Sequence, residues 1–266
     1  MRPVLSMPGS AYHNTALQCA EWLSVVEECQ INSSTKSISD SLQSIELDDD
    51  EELISFDVTS LYTNVPVNEA ITECADLLYS GKYELPPVDK ETFIKLLTLC
   101  TCNVLMSTHD GFYRQVDGLA MGSPPAPMLA NGWLYKYDAT IRDNAKLYER
   151  YMDDTLRSIK CRNIDNKLNE INSLHEKLNF TSEREIERLL AFLDMQIKRE
   201  NNRLSSTWYQ KPTDTGLVMN YHALAPKRYK RSVVAGFVHR IYRACSSWEL
   251  FHNSLCQGMT LDNTNC

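Results

Sequence analysis

The feature that most restricts what this chain can fold into is a pair of acids, Asp153-Asp154, set between two short strand-like runs, Leu147 to Met152 and Thr155 to Ile159. Two adjacent carboxylates are a turn signal, so Lys146 to Lys160 reads as a β-hairpin with the acids at its tip. A second element points the same way. Leu53-Ile54-Ser55-Phe56-Asp57-Val58 is a short apolar run that closes on a carboxylate, as a buried strand does when its last residues emerge at a sheet edge. Alone, an Asp-Asp turn is more often solvated than catalytic, and an Asp closing a strand is no more specific; the two features carry weight only together.

The rest of the chain alternates helical and strand patterns. Residues 14 to 30 read as an amphipathic helix with Asn14 as N-cap and a stripe of Ala16, Cys19, Ala20, Leu23 and Val26. The Ser-rich segment from Asn32 to Ser44 and the acidic Asp48 to Glu52 read as a surface linker with one short helix. Helices are expected over Asn68 to Tyr79, Lys90 to Val104, after Pro124 and over 164 to 178, and a hairpin around Gly111 over 106 to 117. Leu189 to Arg199 and Leu204 to Lys211 read as a strand pair joined by Asn201-Asn202, and the stretch from Pro226 as helical.

Composition narrows the function classes. With 266 residues, 43% of them apolar, the chain can bury a core. No apolar run reaches the roughly 18 residues of a membrane span, and Met1 to Leu5 holds no secretory signal, so an intracellular place, nuclear or cytoplasmic, is the default expectation. Nine cysteines without a Cys-x-x-Cys pair argue for reduced, mostly buried thiols rather than disulfides or zinc. The net charge of −8 is unusual for a nucleic-acid binder, yet Lys198 to Arg243 holds ten basic residues against two acidic ones.

The chemistry that Asp57, Asp153 and Asp154 can carry together is two-metal nucleotidyl transfer. Two Mg²⁺ ions about 3.5 to 4 Å apart activate a primer 3′-hydroxyl and neutralise a pyrophosphate leaving group. Magnesium takes hard oxygen ligands and keeps several waters, so two or three carboxylates with substrate phosphates complete its shells.

The sequence resembles a known family at this point. Tyr151-Met152-Asp153-Asp154 is similar to the aromatic-x-Asp-Asp box of reverse transcriptases, and Phe56-Asp57-Val58-Thr59-Ser60-Leu61-Tyr62-Thr63-Asn64-Val65-Pro66 resembles their first catalytic block in the wording of Penelope-like retroelements. Gly118-Leu119-Ala120-Met121-Gly122-Ser123-Pro124 resembles their template- and nucleotide-positioning block. Arg2-Pro3-Val4-Leu5-Ser6 is similar to the fingers motif that meets the triphosphate, and Leu190-Ala191-Phe192-Leu193-Asp194 to the primer-grip block.

The resemblance implies roles. Asp57, Asp153 and Asp154 are the catalytic acids and metal ligands, with the Val58 carbonyl as a further ligand, for two Mg²⁺ ions or Mn²⁺ as substitute. Arg2, Tyr62, Met121 and Gly122 form the nucleotide site. Arg2 offers a guanidinium fork, Gly122 a close backbone approach, and Tyr62 a steric gate under the sugar, against the alternative of a core tyrosine. Trp208, Tyr209, Lys211, Lys227, Arg228, Lys230 and Arg231 form a nucleic-acid surface, against the alternative of a core Trp-Tyr pair.

The fold implied is α+β: a right-hand polymerase palm of three or four antiparallel strands with helices on its back, partial fingers, and a mainly helical thumb. Residues 1-200 would form the palm with partial fingers, and 201-266 the thumb with a basic, helix-turn-helix-like module. The partners implied are an RNA template, a DNA primer and deoxynucleoside triphosphates, with no membrane. The family's fingers begin well before Arg2, relatives have serine at Ala126 and proline at Ala191, and no GIY-YIG nuclease pattern follows Cys245. Two readings stay open: a working reverse transcriptase, or a truncated remnant that only binds nucleic acid.

Overall fold

In the computed structural model, residues 4–262 are described except 31, 103, 216–218 and 221, and side chains at 108 and 259–262 are not described. Arg2 lies outside the described residues. The helices are α1 (His13–Leu23), α2 (Thr35–Leu42), α3 (Leu61–Asn64), α4 (Val67–Leu78), α5 (Lys90–Cys102), α6 (Ala126–Arg142), α7 (Ile164–Asn172), α8 (Lys227–Ala244) and α9 (Trp248–Asp262). The strands are β1 (Glu51–Val58), β2 (Leu105–Thr108), β3 (Gly111–Arg114), β4 (Tyr148–Tyr151), β5 (Asp154–Lys160), β6 (Phe180–Arg184), β7 (Leu189–Phe192), β8 (Met195–Glu200) and β9 (Arg203–Trp208).

The described residues form three antiparallel sheets: four strands in the order β4-β5-β1-β6, the hairpin β2-β3, and three strands in the order β7-β8-β9. The central strand β1 explains the architecture. Its even-numbered residues, Ile54, Phe56 and Val58, face a core built with α4, α5 and α6, where Phe93 and Trp133 are fully buried. Its odd-numbered residues face the other way, as the twofold period of a strand requires. On that second face the three-stranded sheet and α2 cover one end, packing Leu53, Leu147 and Leu156 against Leu190, Phe192, Ile197 and Leu204.

Exposure therefore rises along one face of a single strand. Glu51 and Leu53 are 4% and 1% exposed, Ser55 is half-buried, and Asp57 is open to solvent. The fold thus leaves a polar window at the carboxylate end of β1.

Several expectations need correction. The first helix stops at Leu23, and its N-cap is Tyr12 rather than Asn14; Val26 is buried from the following segment. The Ser-rich stretch is no surface linker, because α2, capped by the Ser34 hydroxyl, sends Ile38 and Leu42 into the second core. Leu189 to Arg199 is two strands, since Leu193 turns the chain in a left-handed conformation (φ 53°) that no Gly or Asn announces. The helix expected over 164 to 178 ends at Asn172, and β6 follows it at the edge of the main sheet. The Asn201-Asn202 turn joins β8 and β9 as expected, both residues having positive φ. Position 200/201 thus falls in the turn between two paired strands.

All described cysteines are free, five of them buried. Among the described residues no helix is long and apolar enough to cross a membrane.

Candidate active site

Backbone register brings the acids together. Asp57 on β1 is the direct cross-strand partner of Asp154, the first residue of β5, and Asp154 is in turn the partner of Tyr151 on β4. Directly opposite residues of antiparallel strands project to one face with Cα atoms roughly 4.5 to 5.5 Å apart. Met152 and Asp153 make the tip of the β4–β5 hairpin, with Met152 at φ 53°. The tip folds back on β1, where the Val58 N–H donates to the Asp153 carbonyl at 3.2 Å. Val58 itself buries its side chain in the main core.

The electrostatics report the crowding. Burial, then Asp153, then Asp57 push the Asp154 carboxyl up to about 6, with Glu183 adding to the shift and Lys211 opposing it. Tyr62, on α3, is half-buried against the main core, and burial followed by the charge of Asp153 pushes its phenol up to about 12. Tyr62 is therefore both a core-packed ring and a neighbour of the acidic tip.

A cleft of about 440 Å³ opens beside the acids, lined by Asp57, Asp154, Glu183, Leu193, Tyr209 and Lys211 among others. Glu183 on β6, opposite Ser55 of β1, is a third acid of this wall. No motif marked it; strand alternation places it, but only once β6 is recognised. Tyr209 and Lys211 join the cleft, whereas Trp208 does not. It packs edge-on against Phe237 of α8 at 5.4 Å, between the three-stranded sheet and the C-terminal helices.

Met121 and Gly122 lie where the N-terminal segment meets the turn before α6. Val4 pairs with Met121, and the Leu5 N–H donates to the Met121 carbonyl at 2.8 Å. Gly122 has φ +104°, and an added Cβ would overlap the Leu5 carbonyl oxygen. The close approach that Gly122 permits is thus made, in this chain, by its own backbone.

The basic stretch is partly committed internally. Arg199 is buried and holds the Glu51 and Asp48 carbonyls, and Lys198, Arg203 and Arg240 pair with Glu200, Glu46 and Asp194. Lys227, Arg228, Lys230 and Arg231 occupy the first turns of α8, whose first turn contains no acidic residue of its own, and the Arg228 guanidinium sits 4.9 Å from the Tyr229 ring centre. Cations at a helix N-terminus oppose the helix dipole, so helix stability does not account for them.

Among the described residues, no group of three or more His, Cys, Asp or Glu side chains forms a ready-made metal cage. The donor set still fits magnesium, which binds through one or two carboxylates and takes its other ligands from water and substrate phosphates. Asp57 and Asp154 would hold such an ion, with Asp153 beside them.

No protein-family model and no curated protein matches this sequence. Solved structures do match. Telomerase from Candida albicans, in complex with a TWJ fragment of telomeric RNA, is similar over 94% of this chain with TM-score 0.59 and 12% identity. Apo telomerase from Candida tropicalis truncated from its C-terminal domain is similar over 74% of the chain (TM-score 0.53, 13% identity), and the apo form of that telomerase over 73% (TM-score 0.53, 11% identity). This chain spans 46%, 46% and 40% of those chains respectively. At such identities the likeness concerns the fold. The protein is a mixed α/β chain with a polymerase-like fold similar to that of telomerases, a reverse transcriptase family, and Asp57 and Asp154 stand opposite each other at the open end of the main sheet with Asp153 at the adjoining tip.

Proposed function

We propose that this chain is the palm-centred core of an RNA-directed DNA polymerase, in the manner of Penelope-like retroelements. The observation that carries the reading is the register of β1 and β5. It sets Asp57 against Asp154, with Asp153 at the adjoining tip, beside an open cleft on a polymerase-like fold.

In the proposed reaction the primer 3′-hydroxyl oxygen forms a bond to the α-phosphorus of a deoxynucleoside triphosphate. The α–β phosphoanhydride bond breaks, pyrophosphate leaves, and the hydroxyl proton passes to solvent. Two Mg²⁺ ions, held by Asp57, Asp153 and Asp154 with the Val58 carbonyl as a further ligand, would lower the pKa of the attacking hydroxyl and neutralise the leaving group. The chain's own residues orient the reactants. Tyr62, beside Asp153, is proposed to exclude a 2′-hydroxyl. Met121, Gly122 and, outside the described residues, Arg2 complete the nucleotide site. Tyr209 and Lys211 in the cleft are proposed to track the primer strand, and Lys227, Arg228, Lys230 and Arg231 the duplex beyond it. Trp208 supports that surface from the core.

The test is Mg²⁺-dependent extension of a DNA primer on an RNA template by the purified chain, beside an Asp153→Asn/Asp154→Asn control. Extension that disappears in the control is the expected result. A folded protein that binds primer-template and extends nothing would withdraw the enzyme claim for this chain and leave the alternative, a catalytically inactive binder.

A further inference from the structure

The hairpin tip that carries Asp153 and Asp154 is held by groups that no motif singles out. Met152 has the left-handed backbone that a non-glycine side chain disfavours, so its conformation has to be imposed from outside. Both of its backbone polar groups are taken. Its N–H donates to the Asn32 Oδ1 at 2.8 Å, and its carbonyl accepts from the Arg150 Nη1 at 3.3 Å.

The Arg150 guanidinium is itself fixed on two sides. It is 2% exposed, donates from Nη2 to the Asp138 Oδ2 at 2.9 Å, and from Nη1 to the Asn131 Oδ1 at 3.0 Å. The Tyr148 hydroxyl donates to the other Asp138 oxygen at 2.8 Å, and the Asn131 amide donates to the Cys29 carbonyl at 3.2 Å. The segment bearing Asn32 is tied to the same strand, since the Ser33 N–H donates to the Arg150 carbonyl at 2.8 Å and Asn32 bridges to Tyr151.

From this geometry we propose that Arg150 and Asn32 are positioning residues that clamp the tip and set where Asp153 and Asp154 stand; the catalytic part of this inference rests on the polymerase reading above. Asp138 and Asn131 belong to α6, which starts directly after the Gly118 to Pro124 block. One buried polar frame therefore ties the acids to the helix that follows the nucleotide-positioning turn. Only arginine can serve at position 150, because the carbonyl of Met152, Asn131 and Asp138 are reached simultaneously by a planar fork, which a lysine ammonium cannot reproduce.

The alternative is a plain structural ion pair, which would change global stability and nothing local. Two variants of the full chain separate the two. The Asn32 side chain is exposed, so Asn32→Ala should fold as the wild type does. Loss of its hydrogen bond should speed hydrogen exchange at the Met152 amide about threefold to tenfold, with amides of β1 and α6 unchanged. In primer extension kcat should fall while the nucleotide KM holds. For Arg150→Lys, checked for folding by its thermal transition, a misplaced tip should lower kcat about a hundredfold, again without a matching rise in KM. Unchanged exchange at Met152 in Asn32→Ala overturns the clamp, whether or not the wild type extends primers. Faster exchange in a protein whose wild type extends nothing keeps the clamp as a structural device and overturns the polymerase reading instead.

Discussion

Replacing Asp154 by Asn in metal-free protein should raise stability at neutral pH, although it removes a proposed metal ligand. The Asp154 carboxyl is pushed up to about 6 by burial, Asp153 and Asp57, in that order. In the unfolded chain the same group titrates near its ordinary value of about 3.9. Between those values the folded protein holds a proton that the unfolded chain has lost, so this group's favourable contribution is present in full below about pH 4 and disappears as pH rises through about 6. Two pKa units correspond to about 3 kcal/mol at most. Asp154 is only partly buried, and solvent screening reduces the figure to about 1 to 2 kcal/mol. Urea unfolding in EDTA at pH 4 and pH 7.5 tests it. The Asp154→Asn variant should match the wild type at pH 4 and exceed it by about 1 to 2 kcal/mol at pH 7.5. Adding Mg²⁺ should then stabilise the wild type more than the variant, because a bound cation reverses the repulsion. A difference of one size at both pH values, or a variant less stable at pH 7.5, would refute the upward shift of the Asp154 carboxyl by burial and its acidic neighbours.

Two further outcomes follow from contacts described above. Gly122→Ala forces a Cβ onto the Leu5 carbonyl at a φ that L-residues disfavour. It should lower stability by about 1 to 3 kcal/mol and release the N-terminal segment to added protease; a protected segment would show that the turn yields without strain. The triple change Lys227→Gln/Arg228→Gln/Arg231→Gln should weaken primer-template binding without changing the thermal transition. The slope of log affinity against log salt should become shallower by about 2 to 3, and an unchanged slope would remove α8 from the binding surface.

What was legible in the sequence followed from short-range chemistry. The β4–β5 hairpin, the carboxylate near the end of β1, the Asn201-Asn202 hairpin and the α4 and α5 periodicities all have local causes and stand in the structure. The tip of the first hairpin is Met152-Asp153, one residue before the expected Asp153-Asp154, because Asp154 pairs with Tyr151 and Asp57 as the first residue of β5. What was missed depends on partners far along the chain. Phe180 to Arg184 is polar because one face borders the open cleft, so it carried no strand signal, and with it Glu183 escaped notice. Leu193 adopts a turn conformation that its identity argues against, imposed by the pairing of β7 with β8. Arg150, between Glu149 and Tyr151, carries no signal of its own in the sequence; only the fold shows it buried against Asp138. Part of the basic surplus of the last third is engaged internally, since Arg199 and Arg240 serve contacts within the chain that a charge count does not reveal.

The rise in exposure along one face of β1 divides its labour. Leu53 is locked in the second core, while Asp57, four residues on, stands exposed at the open end of the sheet. Selection can therefore act on the two ends of the strand separately. On the proposed function, a copy that lost Asp57 would still fold and still bind nucleic acid, so neither abundance nor affinity would distinguish a working polymerase of this kind from an inactive one. Only the appearance of a longer primer would.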